Sequence, residues 1–180
     1  MDVNAARSFQ NIALIGFMGT GKSSVGRIVA HQLHFQFIDT DDLIEARAGK
    51  TIPQIFAGEG EAVFRDWEAR ILDELSAQKQ MVLATGGGLG ANPAHLAGLK
   101  THSVVICLWA SPETIWERVK IQEHRPLLQT PEPLEKIRAL LAQRAACYKQ
   151  ADALINTERR SARDVAQQVL HQFHLARSTP

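Results

Sequence analysis

The chain has 180 residues, 45% of them apolar, and its 20 basic and 19 acidic residues leave a formal net charge of +1. This length and composition suit one α/β domain over residues 1–180 with a sizeable core, and the balanced, scattered charge argues against a nucleic-acid surface. The polar opening 1–10 lacks the apolar core of a signal peptide, and the longest apolar run, 104–110, is far below the roughly 18 residues of a membrane span, so a cytoplasmic protein without membrane contact is expected.

Ile12-Ala13-Leu14-Ile15 predicts a strand that enters Gly16-Phe17-Met18-Gly19-Thr20-Gly21-Lys22-Ser23, a G-x-x-x-x-G-K-[ST] loop. Such a loop grips phosphate. Gly16 and Gly21 let the backbone turn tightly enough to aim successive N–H groups inward, Lys22 adds a charge that reaches the outer phosphates, and Ser23 offers a hydroxyl to Mg²⁺. Val25, Ile28, Val29 and Leu33 recur at helical spacing from Ser24 onward, so the anion would also meet a helix N-terminus. A chance glycine-rich turn is the plain alternative, and the strand–loop–helix context argues against it.

Phe35 to Ile38 reads as a short buried strand ending in Asp39-Thr40-Asp41-Asp42, where acids at the C-terminal end of a parallel strand face the ligand crevice. One carboxylate or hydroxyl, Asp42 or Thr40, is expected to cap a helix over 43–48 that Gly49 ends. Asp39 and Asp41, projecting to one side in strand-like conformation, remain for a metal and a substrate hydroxyl. A short helix over 52–56 and a long amphipathic one over about 61–77 follow, the latter with Phe64, Trp67, Ile71, Leu72 and Leu75 inward. On local grounds Arg65 and Glu68 read as a surface i,i+3 ion pair.

Met81 to Ala84 predicts a strand running into Thr85-Gly86-Gly87-Gly88, where three glycines allow a ligand to approach the backbone amides closely. Asn92-Pro93 opens a helix to about Leu99, residues 103–109 form an apolar strand, and Ser111-Pro112-Glu113 opens another helix bearing Ile115, Trp116, Val119 and Arg118. Residues 122–133, with three prolines, read as a long loop suited to a lid carrying Arg125. A helix over 134–148 places Arg144 near its end, where the helix dipole welcomes a cation. A last strand at 153–155, the loop 156–160, a helix opened by Ser161 with Asp164 as capping-box partner, and a frayed tail from 176 complete the chain, whose core spans about 11–173. Cys107 reads as core, and Cys147 has no assignable role. Strands alternating with helices imply a doubly wound parallel sheet covered on both faces. A phosphate loop, strand-end acids, a glycine edge and an arginine-bearing lid together describe phosphoryl transfer, in which catalysis is mainly positioning and cationic stabilisation away from water.

The motifs Ile15 to Arg27, Asp39-Thr40-Asp41, Gly60-Glu61-x-x-Phe64-Arg65-x-x-Glu68, Gly86-Gly87-Gly88, Arg125-Pro126-Leu127-Leu128 and Arg144-x-x-x-Tyr148 closely resemble those of the shikimate kinase family, over about 11–170. The resemblance implies ATP-dependent phosphorylation of the 3-hydroxyl of shikimate, on a P-loop kinase fold with a five-stranded parallel sheet ordered 2-3-1-4-5. It implies that Gly19, Thr20, Gly21, Lys22, Ser23 and Ser24 bind ATP, with Arg118 against the adenine and Arg125 acting from the lid. Ser23 would bind Mg²⁺ directly and Asp39 through water, while Asp41 would bind the shikimate hydroxyls and accept the proton. Arg65 and Arg144 would take the shikimate carboxylate, Glu68 would orient Arg65, and Gly86, Gly87 and Gly88 would present amides to substrate hydroxyls. The resemblance further implies a monomer whose partners are shikimate and ATP.

Three departures accompany it. Ser24 stands where the family commonly has threonine, the loop 156–162 lacks the proline often found in the family's adenine-binding loop, and Cys147 stands where the family often has an apolar residue or proline. Gluconate kinases share the loop and lid but would not obviously need the Arg65, triple-glycine and Arg144 set, and nucleoside monophosphate kinases fit less well. A regulatory module that has lost turnover is opposed by the presence of Lys22, Ser23, Asp39, Asp41 and Arg125.

Overall fold

The computed structural model describes residues 9–121 and 130–178. Five strands alternate with eight helices: β1 (Asn11–Ile15), α1 (Lys22–Leu33), β2 (Gln36–Asp39), α2 (Thr40–Ala48), α3 (Ile52–Gly58), α4 (Gly60–Leu75), β3 (Met81–Ala84), α5 (Pro93–His102), β4 (Ser103–Trp109), α6 (Pro112–Val119), α7 (Pro133–Tyr148), β5 (Ala153–Asn156) and α8 (Ala162–Ser178), with a 3-10 turn at Leu89–Ala91. The strands form one sheet in the order β2-β3-β1-β4-β5, and every pairing is parallel. This is the expected topology. All five residues of β1 are buried, as the central strand of a sheet covered on both faces requires.

Side-chain alternation divides the core between the two faces. Ile12, Leu14, Val104, Ile106 and Leu108 pack with Val25 and Val29 of α1 and with Val165, Val169 and Phe173 of α8. Ala13, Ile15, Leu83, Val105 and Cys107 face the other way, against Ile71 and Leu75 of α4, Leu96 and Leu99 of α5, and Tyr148. Burial pushes the Cys107 thiol up to about 12, so it behaves as an inert core group. A smaller cluster of Phe17, Met18, Ile115, Val119 and Ile137 supports the phosphate loop from beneath. Asn11, polar yet 1% exposed, pins the starts of β1 and β3 together. Its amide donates to the Gln78 carbonyl at 2.9 Å and its Oδ1 accepts from the Met81 N–H at 3.1 Å.

Several boundaries differ from those expected. α2 begins at Thr40, and its N-cap is Asp39, whose Oδ1 accepts from the Asp41 N–H at 3.1 Å; neither Asp42 nor Thr40 caps it. The last residue of β2 is already extended in the N-cap manner, so the helix starts without an intervening turn. Asp41 therefore sits in a helical first turn and not in a strand-like segment. α1 begins at Lys22, two residues ahead of Ser24, and Pro133, counted with the loop, opens α7. α8 continues to Ser178, with Leu170 and Phe173 buried and Ala176 packed against the same core, and the tail expected to fray from 176 is helical that far. The Ser161–Asp164 capping box is present, with reciprocal bonds of 3.1 and 3.2 Å. Among the described residues no helix is long and apolar enough to cross a membrane.

Gly26 of α1 faces β2, where an added Cβ would lie 2.7 Å from the Phe37 ring and 3.4 Å from Leu14 Cδ1. Gly26→Ala should cost about 1–3 kcal/mol through overpacking, read as a lowered thermal midpoint. An unchanged midpoint would mean that the α1–β2 contact can open freely.

Candidate active site

The phosphate loop leaves β1 at Gly16, whose φ of +133° suits glycine and whose missing side chain lets the Leu108 carbonyl approach. Gly19 and Gly21 also have positive φ, at +76° and +92°. Gly21 is the N-cap of α1 and brings no side-chain cap, so the first-turn amides face outward in the manner of an anion site. Lys22 is 8% exposed and folds back over the loop, with Nζ donating to the Gly16 and Phe17 carbonyls at 2.9 Å each. Thr20 Oγ1 donates to the Phe17 carbonyl at 2.8 Å and tightens the same turn. Ser23 and Ser24 occupy the first turn of α1.

Across the rim, Ser23 Oγ donates to Asp39 Oδ2 at 2.6 Å. One carboxylate thus caps α2 with Oδ1 and meets the phosphate-loop serine with Oδ2, which accounts for the proximity of Ser23 and Asp39. Among the described residues no three His, Cys, Asp or Glu side chains stand together as a metal cage. A hydroxyl with one carboxylate nevertheless suits Mg²⁺, which keeps several waters and takes its remaining oxygens from phosphates.

A cleft of about 340 Å³ opens beside this rim, lined by Met18, Asp41, Glu45, Ile52, Pro53, Phe56, Phe64, Arg65, Glu68, Gly86, Gly87, Gly88 and Arg144. The structure brings Asp41, the two arginines and the three glycines into one cavity. Each glycine makes room for a particular neighbour: an added Cβ at Gly86 would strike the Asp41 carboxylate, at Gly87 it would lie 3.3 Å from the Met18 N, and at Gly88 2.7 Å from Arg65 Nη1. The Gly86 N–H donates to Thr40 Oγ1 at 2.9 Å, so this amide is already engaged within the protein.

Arg65 and Glu68 are not a surface pair. Glu68 is 1% exposed, and Arg65 Nη1 donates to its Oε2 at 2.8 Å while Nη2 donates to Glu61 Oε1 at 2.8 Å. Burial raises the Glu68 pKa, and the Arg65 hydrogen bond and charge only partly offset this. Arg144 does not simply meet a helix end. Its Nη1 donates to the Gly87 carbonyl at 2.8 Å, and its guanidinium lies 5.3 Å from the Phe17 ring centroid. Tyr148 OH donates to the same carbonyl at 2.9 Å, and burial pushes that phenol up to about 12, so it remains a donor. On the opposite side, Arg118 Nη1 donates to the Gly19 carbonyl at 3.1 Å and to Thr157 Oγ1 at 2.9 Å, tying α6 to the phosphate loop. Arg125 and the rest of 122–129 lie outside the described residues.

In the sequence Glu45 carries no assigned role, Thr40 figures only as a candidate helix cap, and Glu61 only within a family motif. The spacing of Glu61 and Arg65, four apart, was an available signal. Thr40 Oγ1 and Glu45 Oε1, which accepts from the Ile52 N–H at 2.8 Å, serve partners that only the tertiary fold brings near.

A family model described as shikimate kinase matches residues 18–174. A shikimate kinase of Thermodesulfovibrio yellowstonii is 43% identical over 91% of this chain and 95% of its own length. One of Cupriavidus pinatubonensis is 43% identical over 92% and 87%. Among solved structures, shikimate kinase from Acinetobacter baumannii in complex with shikimate superposes with a TM-score of 0.89 at 40% identity, covering 98% of each chain. A gluconokinase from Sinorhizobium meliloti, at 17% identity and a TM-score of 0.62 over 94% of this chain and 95% of its own, shares the fold alone.

A raised Glu68 pKa means that its ionised form is disfavoured by folding. Its contribution to stability is full below the ordinary value of 4.5 and is lost as pH rises through the higher folded value. Glu68→Gln, which stays neutral, should therefore gain thermal stability relative to the native chain as pH rises above 4.5. A difference that shrinks over this range would show that Arg65 more than compensates the buried charge.

Proposed function

The chain belongs to the shikimate kinase family and transfers a phosphoryl group from ATP to shikimate in the pathway to aromatic amino acids, and we propose that it does so with the residues gathered at this rim. The arrangement of Arg65 and Arg144 around one cleft adjoining the phosphate loop carries the assignment. Two guanidiniums suit a carboxylate acceptor, which can take paired charge-assisted hydrogen bonds. A gluconate-type acceptor is also an acid, so the acceptor test below includes it.

In this reading the amides of Gly19, Thr20, Gly21, Lys22, Ser23 and Ser24 cradle the ATP phosphates, and Lys22 turns from the Gly16 and Phe17 carbonyls toward them. Arg118 lies at the adenine side, supported by its bonds to Gly19 and Thr157. Asp41 binds the shikimate hydroxyls and takes the proton as the 3-hydroxyl oxygen attacks the γ-phosphorus and ADP leaves. Its place in the cleft, against Gly86, favours that role. Arg65 and Arg144 hold the carboxylate, Glu68 fixes Arg65, and Gly87 and Gly88 supply backbone contacts. Because the Gly86 amide is engaged by Thr40, Gly86 serves this pocket mainly by admitting Asp41. Mg²⁺ would sit at Ser23 Oγ with Asp39 reaching it through water; when bound it neutralises developing phosphate charge. Arg125, the remaining cation of the assigned set, adds charge to the migrating group. One chain supplies all these groups, which favours action as a monomer, in the cytoplasm where a soluble metabolite would be met.

Lys22→Ala should abolish turnover in a coupled ADP-release assay, and Arg144→Ala should raise the KM for shikimate about 10- to 100-fold with the KM for ATP little changed, reflecting about 1.5–3 kcal/mol of charge-assisted hydrogen bonding. Shikimate-dependent ADP release is expected, with none above background on gluconate. Unaltered shikimate KM in Arg144→Ala would remove Arg144 from the carboxylate site.

A further inference from the structure

The loop after β5 grips α6 at both ends. At the start of α6, Glu158 Oε1 accepts from the Ser111 N–H at 2.6 Å and from Thr114 Oγ1 at 3.3 Å, so a carboxylate from another element sits on the helix N-terminus. Toward its end, Arg118 Nη1 and Nη2 donate to Oγ1 and O of Thr157 at 2.9 and 2.8 Å. Thr157 is 3% exposed, and its N–H donates to the Trp109 carbonyl at 2.9 Å, which ties the gripping loop to the end of β4. The loop is itself shaped by Asn156 Oδ1, which accepts from the Glu158 N–H at 2.7 Å. The gripped helix in turn bears on the phosphate loop: a Cβ on Gly19 would lie 2.7 Å from Val119 Cγ1 and 3.6 Å from the Ile115 carbonyl oxygen, and Arg118 bonds the Gly19 carbonyl.

We propose that Glu158 is a positioning residue for ATP, holding α6 where Arg118, Ile115 and Val119 set the conformation of the phosphate loop at Gly19. The inference rests on the reading of that loop as the ATP site. Glu158 does not line the acceptor cleft, which is built from α2, α3, α4, α7 and the glycine edge, with Met18 as the one lining residue from the phosphate loop. Its influence therefore falls on the nucleotide side. The hydrogen bonds from Ser111 keep its carboxyl below the usual range, so the clamp stays ionised at neutral pH.

Steady-state kinetics on the full chain test this with Glu158→Ala, Glu158→Gln, Thr114→Val and Arg118→Ala. Glu158→Ala should raise the KM for ATP about 5- to 20-fold while kcat and the KM for shikimate stay within about twofold. Glu158→Gln retains a carbonyl oxygen for both donors and should remain within about threefold of the native KM for ATP. Thr114→Val removes the longer bond to Glu158 together with the 3.0 Å bond that Thr114 Oγ1 accepts from Ser111 Oγ, and leaves the bond from the Ser111 N–H to Glu158 in place. It carries the same test in milder form, with a rise of about two- to fivefold, should the alanine variant fold poorly. Combining Glu158→Ala with Arg118→Ala should add little to Arg118→Ala alone, because both break one clamp. Equal rises in both KM values, no change in the KM for ATP, full additivity with Arg118→Ala, or a glutamine variant as impaired as alanine would overturn the proposal. If Lys22→Ala is inactive while Glu158→Ala behaves as native, only this inference fails; retained turnover in Lys22→Ala would instead overturn the reading of the phosphate loop on which it rests.

Discussion

β1 pairs in parallel with β3 through Leu14 and Ala84 and with β4 through Ile15 and Cys107, so the chain must leave these strands at a common rim. β2 joins the same register, with Asp39 opposite Ala84. The phosphate loop, the strand-end acids and the glycine edge are therefore neighbours by backbone geometry before any side chain is considered. Thr85 reinforces this, its N–H and Oγ1 donating to the Leu14 carbonyl at 3.0 and 3.1 Å. Shifting one pairing by a residue would exchange the two faces of that strand and separate the glycines from Asp41.

On this rim the two cations of the acceptor cleft are held by different means. Arg65 is fixed by carboxylates, one buried and one exposed, whereas Arg144 rests on a carbonyl and an aromatic face. Glu68 Oε1 is buried without a hydrogen-bond partner among the described residues. Such a group is tolerated where it restrains a functional neighbour, since removing Arg65 would leave the charge uncompensated. Met18 and Phe17 underlie both sites, linking the acceptor wall to the phosphate loop through one apolar cluster.

The phosphate loop was legible because its glycines and lysine lie consecutively and are flanked by an apolar strand and an amphipathic helix. Parallel topology was legible in the alternation of elements, and the strand order through resemblance to a family. Long-range roles were not. The i,i+3 spacing of Arg65 and Glu68 is the same whether the pair is wet or buried, and only the packing of α4 against α5 and the sheet decides it. Asp39, Thr40 and Asp42 are all competent caps, and the choice among them depended on where β2 stopped. Nothing local distinguishes Glu158, because its partner Ser111 stands 47 residues away in sequence.

In the proposed reading, the pairing of two guanidiniums with one substrate carboxylate turns a general phosphate-loop kinase into one for shikimate. Titration calorimetry of shikimate and of its carboxamide, in the absence of nucleotide, tests it most directly. The two-arginine pocket predicts that the neutral carboxamide binds at least about 30-fold more weakly, through loss of charge-assisted hydrogen bonds. Equal affinity for the acid and the amide would contradict it and would leave hydroxyl recognition at Asp41 as the source of specificity.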